Sequence, residues 1–263
     1  MAKILWDTTA TRLFEIGIDR GVLYLPSGTA VAWNGLRSIQ EDTNDRSTSA
    51  VFFDGEKYMD APGFGDYSAK IKAITYPDEF LECEGVNEFD TGMYVDNQNS
   101  KTFDMCYRTL VGNDVAGTSL GYRIHILYNL TASPDTSQFD SLSDDFDLTE
   151  FGWDVTSRPE FITGYRPTSH VIVDSRYLDP DLLFQLENTL YGTVSTAPSL
   201  PSLAALAATI AGFGVIIITD NGDGTWTADA PAEFLTMTDA TTFQITGVTA
   251  TYSDANTYTV STT

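Results

Sequence analysis

Residues 121–131 have the sequence Gly-Tyr-Arg-Ile-His-Ile-Leu-Tyr-Asn-Leu-Thr, which is rich in β-branched and aromatic side chains. A run of this kind between turn residues is typical of a β-strand. Seven further runs before residue 193 have the same character: 21–25, 30–33, 50–53, 67–76, 102–111, 151–157 and 169–174. So many short strands predict a mainly β fold, an antiparallel sandwich or barrel.

Helix signals are few. A flanking α-helix is predicted at 179–192, because Asp179 can cap it, Pro180 suits its first position and Gly192 follows its last apolar residue. A shorter helix is predicted over 77–85. The polar span 40–49 and the Gly- and Pro-rich span 61–66 predict one long loop, interrupted by a hairpin that turns at Asp54-Gly55.

The composition changes near residues 193–202, a stretch of small residues and proline that predicts a linker. Beyond residue 192 there are six acidic residues and no Lys or Arg. We therefore expect a β-sandwich domain at 1–192 and a small β-rich domain at 203–263. The uncharged stretch 202–219 predicts a helix at 203–211 and a buried strand at 215–219 rather than a membrane span.

The chain is strongly acidic, with 37 Asp and Glu against 14 Lys and Arg and a net charge of −23. This charge disfavours tight binding to a phosphate backbone or an anionic membrane. The N-terminus carries no apolar signal-peptide region, so synthesis and folding in a cytoplasm are expected.

Motifs that would mark catalysis or a cofactor are absent from the sequence. Gly117-Thr-Ser119-Leu-Gly121 matches a nucleophile elbow, but a strand-like run follows it, so a hairpin loop is predicted instead. His125 and His170 are the two histidines, and each is interpreted as a polar residue on the solvated face of a strand. Residues 220–224 do not match a calcium loop and predict a tight β-turn. The acidic run 140–147 with Glu150 could bind a hard cation, but a solvated loop is the default interpretation. The sequence predicts no enzyme, with no catalytic, cofactor or metal site.

The N-terminal stretch Leu5-Trp-Asp-Thr-Thr-Ala-Thr-Arg-Leu-Phe-Glu-Ile-Gly17, continuing through Pro26-Ser-Gly28 to Trp33-Asn-Gly-Leu36, resembles the start of the major tail proteins of actinobacterial phages with long, non-contractile tails. Residues 158–192 also look similar to that family. The resemblance covers about the first 192 residues. The last domain is similar to a β domain appended to several phage structural proteins.

The resemblance implies a virion protein that assembles in the host cytoplasm into hexameric rings, which stack into a tail tube. Its expected partners are further copies of itself and the tape measure, tail terminator and distal tail proteins. Genomic DNA would pass through an acidic lumen without specific binding, and the C-terminal domain would lie outside the tube. Under this hypothesis the candidate assembly contacts are Ile4, Leu5, Trp6, Asp42, Asp45, Phe52, Phe53, Tyr58, Phe64 and Tyr67.

Two other classes of protein remain open at this point. One is a different phage structural protein, such as a capsid decoration or tail completion protein, which would share the acidic β-rich character. The other is a carbohydrate-binding β-sandwich or a glycosidase, favoured by the 13 Tyr and 4 Trp and by the many carboxylates.

Overall fold

The computed structural model describes residues 6–42, 48–62, 67–139, 141, 148–162, 164–212, 217–220, 226–229, 235–237, 242–245, 248–254 and 257–262. The chain forms two compact units, Met1–Ala207 and Ala208–Thr263. The predicted contacts Ile4, Leu5, Asp45 and Phe64 lie outside the described residues, as do the turn at 221–224 and most of the acidic run 140–147.

Unit 1 is built from antiparallel strands, so the predicted mainly β fold is confirmed. Its strands are β1 (Leu13–Tyr24), β2 (Ala30–Ala32), β3 (Leu36–Asp42), β4 (Thr48–Phe53), β5 (Glu56–Pro62), β6 (Ser68–Ala73), β7 (Asn87–Asp90), β8 (Met93–Val95), β9 (Phe103–Asn113), β10 (Gly117–Pro134), β11 (Phe151–Ser157) and β12 (His170–Asp174). The main sheet has the order β2-β1-β9-β10-β11-β6-β3, and β12 also pairs with β10. β4–β5 and β7–β8 are separate hairpins.

Strand β10 contains the run 121–131, and its middle part, residues 124–128, is buried on both faces, which explains why the sequence is continuously apolar there apart from His125. Leu127 and Leu130 belong to one core, and Ile124 and Ile126 belong to the other. The two cores thus lie on opposite faces of the same central strand.

The first core lies inside the curved main sheet and is centred on aromatic rings. The Phe80 ring lies 4.6 Å from Trp33 and 5.2 Å from Trp153, centroid to centroid. Phe80 ends a short 3-10 turn (Asp78–Phe80) that continues into helix α1 (Leu81–Glu84), which confirms the short helix predicted at 77–85.

The second core is covered by helix α2 (Pro180–Tyr191) and by Leu203 and Leu206 at the start of helix α3 (Leu203–Gly212). The Asp179 carboxylate accepts a hydrogen bond from the backbone N–H of Asp181 at 2.9 Å, as expected of a helix cap. Leu182, Leu186 and Leu190 recur every four residues and bury one face of α2. The flanking helix predicted at 179–192 is confirmed.

The division between the units lies at residues 207/208, whereas the sequence placed a linker at 193–202. Leu203 is buried in the second core, and the Ser199 N–H donates to the Thr189 carbonyl at 2.8 Å. The Tyr128 hydroxyl donates to the Pro201 carbonyl at 3.1 Å. These contacts hold 199–203 against unit 1, and composition alone does not reveal them.

Two loop predictions are wrong. β3 extends to Asp42 and so includes the first three residues of the span 40–49 that was predicted as loop, because an edge strand needs no continuous apolar pattern when one side faces solvent. Residues 43–47 of that span lie outside the described residues. β10 starts at Gly117, so the hairpin turn between β9 and β10 lies at Asp114–Ala116 rather than at 117–121. Ser119 is a strand residue, which removes the geometry of a nucleophile elbow.

Unit 2 consists of a hairpin of β13 (Ile217–Asp220) and β14 (Trp226–Asp229), and a four-stranded antiparallel sheet. That sheet contains β15 (Leu235–Met237), β16 (Thr242–Ile245), β17 (Val248–Asp254) and β18 (Thr257–Thr262). Across the described residues, no helix is both long and apolar enough to cross a membrane. The free thiols of Cys83 and Cys106, both in unit 1, are buried.

Candidate functional site

Hairpin β4–β5 exposes a group of large apolar side chains. Every residue from Ala50 to Asp60 is exposed, and the apolar ones are Val51, Phe52, Phe53, Tyr58 and Met59. The Phe53 and Tyr58 rings pack across the hairpin with centroids 6.4 Å apart. Asp54 and Gly55 form the predicted turn, both with positive φ. An isolated two-stranded hairpin is only marginally stable in water, so a surface of this kind favours a protein partner.

Further apolar side chains are exposed in unit 1. The first half of β1 exposes Leu13, Phe14 and Ile16, and hairpin β7–β8 exposes Phe89, Met93, Tyr94 and Val95.

The predicted assembly residues occupy different environments. Trp6, Phe52, Phe53 and Tyr58 are exposed, and Asp42 lies at the exposed end of β3. Tyr67 is half-buried and packs against the first core. These placements leave the assembly role of each residue a prediction.

The structure brings the two histidines together, a feature that the sequence interpretation missed. His125 Nδ1 lies 3.1 Å from His170 Nε2, and Glu41 Oε1 lies 3.8 Å from each of these nitrogens. Because His125 is only 7% exposed, its assignment to a solvated strand face is wrong. We call Glu41, His125 and His170 the histidine–glutamate cluster.

Strand register explains why the two histidines meet. In the β10–β12 pair, His125 is opposite Ile172 and His170 is opposite Leu127. His125 is therefore two residues from Leu127, the residue opposite His170. Residues two apart on a strand point to the same face, so both histidines lie on one face of the sheet. The curvature of the main sheet brings Glu41, near the end of β3, to the same point.

Aromatic residues surround the cluster. The Tyr107 ring stacks on His125 with a centroid distance of 4.6 Å, and the Tyr67 ring meets His170 edge-on at 5.0 Å. The Tyr107 hydroxyl donates to Glu41 Oε1 at 2.7 Å. Burial, together with the neighbouring Tyr67 and Glu41, raises the pKa of Tyr107, so this phenol keeps its proton.

The far side of His125 faces a second polar group. His125 Nε2 lies 3.2 Å from Thr109 Oγ1 and 3.6 Å from Glu15 Oε1. Glu15 also accepts hydrogen bonds from Thr109 and Arg123. Burial opposes ionisation of Glu15, but Thr109, Arg123 and His125 together lower the pKa of Glu15, which keeps the carboxylate charged.

Burial lowers the pKa of both histidines, although the charge of Glu41 opposes this effect. Both rings are therefore neutral near pH 7, with ring nitrogen lone pairs available as ligands. Glu41 and His125 line an open cleft of about 590 Å³, together with Glu15, Arg37, Tyr107 and Arg123. The cleft borders the cluster at Glu41 and His125, and His170 is not among its lining residues.

No family model matches the chain, and no curated protein matches it. One similar solved structure is the sheath/tube terminator of an extracellular contractile injection system, PVC, in the extended state. The match has 10% identity and a TM-score of 0.31, and covers 65% of this chain and 99% of that one.

Proposed function

We propose that the chain is a structural protein of a phage tail, and specifically a tube subunit that assembles into stacked hexameric rings. The resemblance of residues 5–36 to the major tail proteins suggests this role, and the mainly β fold agrees with it. In this role the protein acts in the virion and catalyses no reaction. Its partners would be further copies of itself and the tape measure, tail terminator and distal tail proteins.

The single observation that carries the proposal is the exposed apolar surface of hairpin β4–β5. Phe52, Phe53 and Tyr58 are among its largest side chains, and each exposes most of its surface to solvent. Burying apolar area contributes about 25 cal/mol per Å², so covering these rings would strongly favour association. A neighbouring copy of the same chain can cover the hairpin of every subunit in turn, as a ring requires.

The acidic charge fits the same role. A tube that carries DNA out of a capsid must not bind the phosphate backbone, and a chain with net charge −23 repels it. The charge would also slow assembly at low salt, because copies of the chain repel each other.

Negative-stain electron microscopy of the purified full chain, over a series of concentrations and salt, tests the proposal. We expect rings with a central hole, or tubes. The double variant Phe52→Asp/Phe53→Asp should abolish these particles while leaving the circular dichroism spectrum unchanged.

Phe184→Asp is the matched control, because Phe184 is 65% exposed on α2 and Phe52 is 64% exposed on the hairpin. This control should assemble like the unmodified chain. A wild-type chain that stays monomeric under all conditions would contradict the proposal, and so would assembly that survives both hairpin substitutions. Binding of oligosaccharides by such a monomer would support the carbohydrate-binding alternative.

A further inference from the structure

We propose that Glu41, His125 and His170 form a binding site for a divalent transition-metal cation, with Zn²⁺ as the best-suited ion. The site would join three strands, because Glu41 lies on β3, His125 on β10 and His170 on β12. It is independent of the proposed tail function.

The three ligand atoms have the spacing that a bound cation requires. They are His125 Nδ1, His170 Nε2 and Glu41 Oε1, and all lie within 4.8 Å of one another. A point equidistant from them lies about 2.1 Å from each, given separations of 3.1, 3.8 and 3.8 Å. Zn²⁺ binds histidine nitrogen at about 2.0–2.1 Å and carboxylate oxygen at about 2.0–2.2 Å. No large movement of the backbone is needed.

The ligand set also favours this class of ion. Two imidazoles and one carboxylate suit Zn²⁺ and its first-row neighbours, whereas Ca²⁺ and Mg²⁺ prefer sites made of oxygen ligands. A water molecule would complete the coordination, as is common where a protein supplies three ligands.

The groups behind the ligands are those that commonly support a metal site. A ligating histidine usually donates its second ring N–H to a carboxylate or another acceptor. Thr109 and Glu15 lie on the Nε2 side of His125, opposite the nitrogen that would face the cation. The Tyr107 hydroxyl fixes Glu41 in turn.

A cation can replace the hydrogen bond between the two histidines while both imidazole rings stay neutral. Without metal, one neutral ring donates its N–H to the other across 3.1 Å. A cation would take the place of that shared proton. If the proton lies on His125 Nδ1, it moves to Nε2 of the same ring. The Nε2–H group can then donate a hydrogen bond to Thr109 or Glu15.

Isothermal titration calorimetry of the chelator-treated full chain with ZnSO₄ tests the site, with MgSO₄ as the comparison ion. We expect one Zn²⁺ per chain and an affinity at least about a hundredfold higher than for Mg²⁺. Zn²⁺ should also raise the melting temperature, because it binds the folded chain preferentially.

His170→Gln and Glu41→Gln should each weaken Zn²⁺ binding at least about tenfold, and Glu15→Gln should weaken it by a similar factor through His125. Glu79→Gln is the matched control, because Glu79 is an exposed carboxylate on the 3-10 turn, and it should bind like the unmodified chain. Circular dichroism checks that each variant folds.

Two results would overturn the inference. One is a wild-type chain whose affinity for Zn²⁺ does not exceed that for Mg²⁺, as expected if only surface carboxylates bind. The other is Zn²⁺ binding that is unchanged in both His170→Gln and Glu41→Gln. Neither result depends on whether the chain assembles, so failure of the metal site and failure of the tail function can be told apart.

Discussion

Ile71 and Ile74 show how burial decides the effect of a single residue near β6. Ile71 is fully buried in the first core, whereas Ile74 is 39% exposed. Ile71→Ala should lower the free energy of unfolding by about 2–5 kcal/mol, because it leaves a cavity among packed side chains. Ile74→Ala should cost less than half as much. Urea denaturation of both variants measures the difference, and equal losses would show that the first core is not packed as described.

Asp174 should control part of the acid stability of unit 1. Hydrogen bonds from Arg176 and Arg123 hold the pKa of Asp174 well below its usual range, although burial opposes them. Because the pKa of Asp174 is lower in the folded chain, its charge stabilises the fold at pH values above the pKa of Asp in the unfolded chain, about 3.9. This stabilisation is lost as the pH falls toward the pKa of Asp174 in the folded chain.

Asp174→Asn should therefore lower the free energy of unfolding by about 1–3 kcal/mol at pH 7 and by clearly less at pH 3. Asp54→Asn, at an exposed turn, is the control and should have little effect at either pH. Urea denaturation at the two pH values measures this. A loss of stability in Asp174→Asn that is the same at both pH values would show that the carboxylate charge does not contribute.

Among the elements, β9, β10 and β11 could be predicted from sequence, because each places several apolar side chains in the core. In β11 the signal is alternation, with Trp153 and Val155 buried and Asp154 exposed. Helix α2 could be predicted because its signals, Asp179, Pro180 and Gly192, are local. β3 was missed because its pattern is polar. The attachment of 199–203 to unit 1 was missed because it depends on contacts with residues distant in sequence, such as Tyr128.

The histidine–glutamate cluster lay beyond prediction for a related reason. Both histidines were assigned to strands, but only the β10–β12 register places them on one face. Glu41 joins them because the main sheet curves, and no sequence spacing encodes that approach. A one-residue shift of β12 against β10 would turn His170 to the opposite face.

Hairpin β4–β5 depends on the backbone of its turn. Gly55 has φ +80°, and an added Cβ would meet no atom within 4 Å, so the effect of a substitution there is purely conformational. Gly55→Val should destabilise the hairpin by about 1–2 kcal/mol and raise the concentration needed for assembly. The melting temperature of the monomer should change little.

Sedimentation velocity and thermal denaturation of Gly55→Val separate these effects. Asp54→Asn is again the control, because Asn tolerates the positive φ of position 54 and keeps the turn. Normal assembly of Gly55→Val would show that the hairpin is not part of the contact between copies.

At the scale of the whole molecule, assembly should depend on salt in a direction that follows from the net charge of −23. Copies of the chain repel each other, and raising the ionic strength from about 0.1 M to 1 M shortens the screening length from about 10 Å to 3 Å. If apolar contacts at β4–β5 hold the copies together, NaCl should lower the concentration needed for assembly throughout this range. Light scattering over matched concentration series measures the effect, with Phe52→Asp/Phe53→Asp as the variant that should stay dispersed at every salt concentration. Particles that dissociate as salt rises would instead mean that ion pairs hold the copies together, and the apolar hairpin would then not be the contact.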